Sequence, residues 1–309
     1  MPLAVAVVIA ALVVGCGHPA REQGATPSPQ GSSTPPAPPP PPLQQARPVV
    51  TSIVTPPSTR TDPTSFSVTV SGHGRPVIFL PGLGCPGSVW DDTVAHFAGS
   101  IEAHVVTLAG FAGRPPIAAP LLITARDELA AYIRANKLDR PVIVGHSLGG
   151  FLAFWLAATA PDVVGKLVIV DAAPVVFGDI SPPGTTNTDA WRTASEGELA
   201  SKIRDMFSQM ATNTAKLAPV VNEVIKSDKR TFADALDLMM TTDIRPSLPN
   251  IRAPMLVVMS DDRDYVDAVT RQLAGLGPHT IVSLPGTKHF VFFDDPTGFY
   301  RALDGFLGR

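Results

Sequence analysis

Cysteine is almost missing from this chain of 309 residues: there are two, Cys16 and Cys85. They allow at most one disulfide, and no clustered Cys/His spacing suggests a metal site. Charge is sparse too, at 17% Asp, Glu, Lys and Arg, with a net charge of −3. Nothing in that balance points to nucleic acid or to an acidic polymer as a partner. Long hydrophobic runs are also lacking. The one that opens the chain covers about 13 residues, short of the roughly 20 a helix needs to cross a bilayer. No internal repeat is visible. What remains is a chain that is 45% hydrophobic, enough to build a sizeable core.

Residues 1–16 read Met-Pro-Leu-Ala-Val-Ala-Val-Val-Ile-Ala-Ala-Leu-Val-Val-Gly-Cys. The length of the run is that of a signal-peptide core. Its end, Val13-Val14-Gly15-Cys16, resembles a bacterial lipobox, which implies cleavage before Cys16, lipidation of its thiol and export to a membrane surface. No Lys or Arg precedes the run, a departure from the usual start of such signals. A lipid on Cys16 would anchor the protein without spanning the membrane, and it would leave Cys85 without a disulfide partner. Residues 17–64 show no hydrophobic periodicity and contain the proline run 38–42. Proline fixes φ and removes backbone donors, so this stretch favours an extended linker and cannot build a core.

A globular domain is expected over 65–309. Short apolar, β-branched runs at 66–70, 76–80, 105–108, 142–145, 167–170, 255–259 and 280–284 read as strands. Helical patterns lie between them, at about 120–136, 266–274 and 296–307. Continuously apolar strands alternating with amphipathic helices imply an α/β fold with a mostly parallel sheet covered on both faces. Residues 175–250 are too many for a plain crossover. Ser195-Glu196-Gly197-Glu198 has capping-box spacing and leads into Leu199, Ile203, Met206, Phe207 and Met210 at helical intervals. Two more helices are expected around Leu217–Ile225 and Phe232–Met240.

The stretch 141–150, Pro-Val-Ile-Val-Gly-His-Ser-Leu-Gly-Gly, organises the rest. A strand stops at Gly145 and a helix starts after Ser147, so the serine must sit on a sharp strand-to-helix turn with its hydroxyl clear of the sheet. The N-terminus of the next helix favours negative charge developing there. Gly-x-Ser-x-Gly in this setting resembles the nucleophile elbow of the α/β-hydrolase superfamily. The remaining chain carries further parts of that resemblance. His289, in Thr287-Lys288-His289-Phe290-Val291-Phe292-Phe293-Asp294-Asp295-Pro296, resembles the family's late histidine, acid and terminal helix. Pro81-Gly82-Leu83-Gly84 resembles its oxyanion loop, with Pro81 where His is usual. The insertion at 175–250 stands where the family carries a helical cap.

The resemblance implies a serine hydrolase, carboxylesterase-like, needing no metal or organic cofactor. Ser147 would be the nucleophile and His289 the base, with Leu83 and Leu148 N–H groups as the oxyanion donors. The acid has two candidates. The family's common position is the loop after the strand at 255–259, where Ser260-Asp261-Asp262-Arg263-Asp264 misses the usual spacing by one residue, so that Asp264 or Asp262 would have to shift. The rival is Asp171, at the end of the preceding strand, a position that some superfamily members use. Asp264 is preferred. Asp294 and Asp295 read as N-terminal acids of the last helix. His146 is expected to pack beside the site, and Cys85 to be a small buried filler. The expected substrate is a small, mainly apolar ester or related acyl compound, and serine at 147 argues against the chemistry of aspartate-nucleophile relatives. An alternative is a hydrolase-fold surface lipoprotein with a disabled site acting as a binding module. The stalk and anchor suit that role, and the misplaced acid loop would fit a disabled triad.

Overall fold

The computed structural model describes residues 63–176 and 188–308. The signal-like segment, Cys16, nearly all of the proline-rich stretch and part of the 175–250 insertion lie outside those residues. Seven strands form one sheet: β1 (Phe66–Gly72), β2 (Arg75–Leu80), β3 (Ile101–Leu108), β4 (Val142–His146), β5 (Lys166–Val170), β6 (Met255–Met259) and β7 (His279–Ser283). Their order is β1-β3-β2-β4-β5-β6-β7; β1 is antiparallel to β3, and every other pairing is parallel. This is the α/β-hydrolase fold. The interior strands β4 and β6 are buried at every residue, the reason they read as unbroken apolar runs in place of alternating ones.

Strand β3 is longer than its apolar signature. Only 105–108 reads as strand from the sequence, because Glu102 and His104 interrupt the hydrophobic run at its start. In the fold, His104 is buried and its ring bonds the Tyr132 hydroxyl at 2.8 Å and Glu102 at 2.8 Å. Satisfied in this way, a polar residue can occupy a buried strand position.

The crossover helices are α1 (Asp91–His96), α2 (Leu121–Ala135) and α3 (Leu148–Thr159). Ten of the twelve residues of α3 are buried, so this helix carries its apolar character all round. Between β5 and β6 the chain forms α4 (Asp189–Arg192), α5 (Glu196–Ser208), α6 (Thr214–Val224) and α7 (Lys229–Thr241). The capping box of α5 is present: Glu198 N–H donates to Ser195 Oγ at 3.3 Å and Ser195 N–H to Glu198 Oε2 at 2.8 Å. After β6 come α8 (Arg263–Leu273), the single turn α9 (Val291–Asp294) and α10 (Pro296–Leu307).

The insertion sits on two glycine turns of the core. Asp228 N–H donates to the Gly110 carbonyl at 2.7 Å, and Ala112 N–H to Ser227 Oγ at 3.1 Å. Gly84, at φ +72°, leaves room for Val224 and Phe232; a Cβ there would lie 2.7 Å from Val224 Cγ1 and 2.9 Å from Phe232 Cε2. No side chain fits at that turn, so glycine is required twice over, by φ and by space.

Candidate active site

Strand β4 runs straight into α3 with Ser147 alone between them. Ser147 has φ 55° and ψ −122°, a region costing about 1–3 kcal/mol that persists only when its surroundings enforce it. They do so from three sides. Ser147 N–H donates to the Val170 carbonyl of β5 at 3.0 Å, and Phe151 N–H to the Ser147 carbonyl at 2.9 Å. A Cβ on Gly145 would collide with the Gly149 carbonyl oxygen, and one on Gly149 with that of Leu80. Backbone thus packs on backbone around the turn. Leu148 is buried as the first residue of α3, and its N–H has no carbonyl partner within that helix.

His289 follows β7 in the loop leading to α9 and is 7% exposed. Its Nδ1–H donates to Asp171 Oδ2 at 2.7 Å. With the proton on Nδ1, the free lone pair is on Nε2. Asp171 is 1% exposed, has φ 45° and lies just beyond β5. Its own N–H donates to the Val258 carbonyl at 2.8 Å, and its Oδ1 accepts Ser260 N–H at 2.7 Å. Two N–H donors therefore meet a carboxylate that burial has stripped of water, so its buried oxygens keep hydrogen-bond partners.

The fold does not bring Asp264, the preferred candidate, to His289. Only three residues separate β6 from α8, and the helix start takes up two of the acids there, Asp262 and Asp264. Asp262 is the N-cap, accepting Tyr265 N–H at 3.1 Å, and Asp264 is an exposed residue of the first turn. Asp261 Oδ2 accepts Gly286 N–H at 2.9 Å. The acid brought to His289 is Asp171, the rival position.

His146 is fully buried. Its Nε2–H donates to the His289 carbonyl at 2.9 Å, while Nδ1 has no hydrogen-bond partner. Burial, and then the neighbouring His289, hold its pKa well below the ordinary value despite the opposing bond to that carbonyl. The ring is neutral, packed at 4.6 Å from His289 and 4.7 Å from Phe290 between ring centroids. Sequence reasoning placed His146 beside the site but did not foresee its bond to the backbone of His289.

Ser147 and His289 line one cavity, with Gly82 and Leu83 of the loop after β2 in its wall. The insertion contributes Met206, Phe207 and Met210 from α5 and its end, and Leu236 and Met239 from α7. The volume open to the centre of a water molecule is about 20 Å³, room for roughly one or two waters. Cys85 also lines it, buried, with burial pushing its thiol up to about 12. At neutral pH it is a protonated apolar wall group and not a nucleophile.

Comparison with known proteins agrees with this architecture. The family model described as the alpha/beta hydrolase family matches residues 77–302. A pimeloyl-[acyl-carrier protein] methyl ester esterase of Vibrio atlanticus is 25% identical over 246 residues, covering 72% of this chain and 87% of that protein. The protein of the same name from Pectobacterium carotovorum is 27% identical over 248 residues, covering 74% and 93%. Among solved structures, an enol-lactonase from Burkholderia xenovorans superimposes with a TM-score of 0.69 at 20% identity, covering 79% of this chain and 96% of its own. An esterase from Exiguobacterium antarcticum gives 0.69 at 16% identity, covering 79% and 96%.

Proposed function

Because the chain belongs to the alpha/beta hydrolase family, and so is an enzyme of esterase-like hydrolase type, we propose that it is a serine hydrolase using Ser147, His289 and Asp171. The observation that carries this reading is the buried 2.7 Å bond from His289 Nδ1 to Asp171, in the wall of the cavity that Ser147 lines. A serine hydroxyl is a weak nucleophile and needs a base whose own orientation is fixed by a third group. His289 Nε2 takes the Ser147 proton as Oγ attacks the substrate carbonyl, and returns it to the leaving alcohol as the tetrahedral adduct collapses. Water, activated by the same nitrogen, then releases the acid from the acyl-enzyme. Asp171 holds the ring in the required tautomer and stabilises the imidazolium formed in each half-reaction. Leu148 N–H, at the start of α3, and Leu83 N–H, in the loop after β2, are the assigned oxyanion donors.

The substrate is a small ester or related acyl compound, mainly apolar. Supporting this are Leu, Met and Phe side chains in the cavity wall and, among the described residues, no Asp, Glu, Lys or Arg there. The alternative, a disabled binding module, draws on the stalk, the anchor and the misplaced acids after β6; the bond between His289 and Asp171 weighs against the last of these. Export and a lipid anchor on Cys16 belong to the same proposal, supported by the run 3–14 and the Val-Val-Gly-Cys end; labelling with a radioactive fatty acid, lost in Cys16→Ala, tests it.

The enzymatic test treats the protein and its Ser147→Ala variant with a fluorophosphonate and records intact mass. One adduct on the wild type and none on the variant is expected. Hydrolysis of short-chain esters should fall about ten-thousand-fold in Ser147→Ala and in His289→Ala. Turnover by Ser147→Ala near the wild-type rate would reject the mechanism.

A further inference from the structure

The segment that carries His289 is held by the insertion as well as by the core. Asp294 Oδ1 accepts the backbone N–H groups of Thr212 and Asn213, each at 2.9 Å, and its Oδ2 accepts Lys288 N–H at 2.8 Å. Thr212 and Asn213 belong to the turn between α5 and α6, and Lys288 immediately precedes His289. Beside this carboxylate, Phe290 N–H donates to the Met210 carbonyl at 3.0 Å and the Asn213 side-chain amide donates to the Phe293 carbonyl at 3.1 Å. Both chain neighbours of His289 are therefore tied to the same turn, Phe290 directly and Lys288 through Asp294.

Asp294 is not acting as a helix acid. Helix α10 is capped by its neighbour Asp295, which accepts Gly298 N–H at 2.9 Å. A carboxylate offers about four lone-pair sites, and hydrogen bonds to an ionised acceptor are roughly twice as strong as neutral ones. Three such bonds from two separate segments make Asp294 a cross-link between them.

We propose that Asp294 is a positioning residue for the catalytic base, fixing His289 against Ser147 by locking residues 288–290 to the α5–α6 turn. This rests on the role of His289 proposed above. The geometry links substrate and base mechanically, because α5 and the residues just after it place Met206, Phe207 and Met210 in the cavity wall. A group seated against those side chains bears on the turn that holds the histidine. The base must lie within about 2.6–3.2 Å of the proton it takes, and a misplacement of about 1 Å can cost on the order of a hundredfold in rate.

The test uses the full chain with Asp294→Ala and Asp294→Asn. Asparagine keeps one oxygen for the N–H groups of the turn but sets an NH₂ against another N–H donor, so it opens one side of the link at nearly constant volume. Turnover of p-nitrophenyl acetate, per site titrated with fluorophosphonate, is expected to fall roughly tenfold to a hundredfold in Asp294→Ala. The fall should be smaller in Asp294→Asn, with KM within about twofold in both. Amide hydrogen exchange should rise together at 212–213 and at 288–290. An unchanged turnover per titrated site would overturn the proposal, as would faster exchange at 212–213 with 288–290 still protected. If Asp294→Ala does not fold, the Asp294→Asn results decide by the same criteria. Exchange is read without substrate, so a wild type that neither turns over nor takes the probe would reject the Ser147 mechanism while exchange still decides the link.

Discussion

His289 and Asp171 lie 118 residues apart in the chain and 2.7 Å apart in the fold, joined by one buried hydrogen bond between Nδ1 and Oδ2. The whole insertion between β5 and β6 separates them in sequence. Parallel pairing of β5, β6 and β7 brings their carboxyl ends to one edge, so the loop after β7 reaches the end of β5 across β6. The second carboxylate oxygen is held by Ser260 N–H from the end of β6. Each of these three strand ends thus supplies one member of a short hydrogen-bonded row.

Exchanging the acids separately checks this arrangement. Asp171→Asn should lower turnover by about a thousandfold to ten-thousandfold, because the amide offers the wrong partner to one histidine tautomer. Asp264→Asn, at an exposed first-turn position, should stay within about twofold of the wild type, since surface changes away from special contacts are small. Steady-state kinetics on titrated sites decides it; a large loss in Asp264→Asn would reassign the acid.

His146 should make stability fall on acidification. Burial first, and His289 second, hold its folded pKa well below the ordinary histidine value of 6.5. The unfolded chain therefore takes up a proton near pH 6.5 that the folded one refuses, and stability is lost as pH drops below that point. Thermal midpoints of the wild type and His146→Gln, compared between pH 7.5 and 5.5, should show the smaller decline in the variant. Parallel declines would mean that His146 titrates alike in both states.

Glu128 sets the entry to the domain and should act at lower pH. It accepts Thr64 N–H and Oγ1–H, each at 2.9 Å, and Ser65 N–H and Oγ–H at 2.8 and 2.6 Å. Partial burial pushes its pKa up, but those bonds outweigh it, and the folded value lies below the ordinary glutamate value of 4.5. Its contribution is therefore complete above about pH 4.5 and disappears as pH falls through the lowered folded value. The gap in thermal midpoint between the wild type and Glu128→Gln should be constant above pH 6 and close below 4.5. A gap that stays open at low pH would show that the carboxylate charge is not what holds residues 64 and 65.

The strand sequence, the elbow and the late histidine were legible because each depends on local chemistry. Apolar β-branched runs, a strand-to-helix junction with no spare residue, and a histidine followed by aromatics and a capped helix all leave marks within ten residues or so. Asp294 and Asp295 show where such marks give out. The two acids before Pro296 are alike in sequence, yet one caps α10 and the other binds a turn some 80 residues upstream. The same holds for Glu102 and His104, which hide the first half of β3 until Tyr132 is seen to satisfy the ring.

By itself, then, the amino-acid sequence determined the class of fold and the residue on the elbow, and it marked His289 as a candidate, since periodicity, glycine placement and caps are properties of neighbouring residues. The choice of Asp171 over Asp264 belongs to tertiary structure. So do the seat of His146 on the His289 carbonyl and the binding of the insertion through Asp294. Each of these is a contact between segments remote in the chain, where strand order and the start of α8 decide which carboxylate is free to turn inward and which is spent on a helix end.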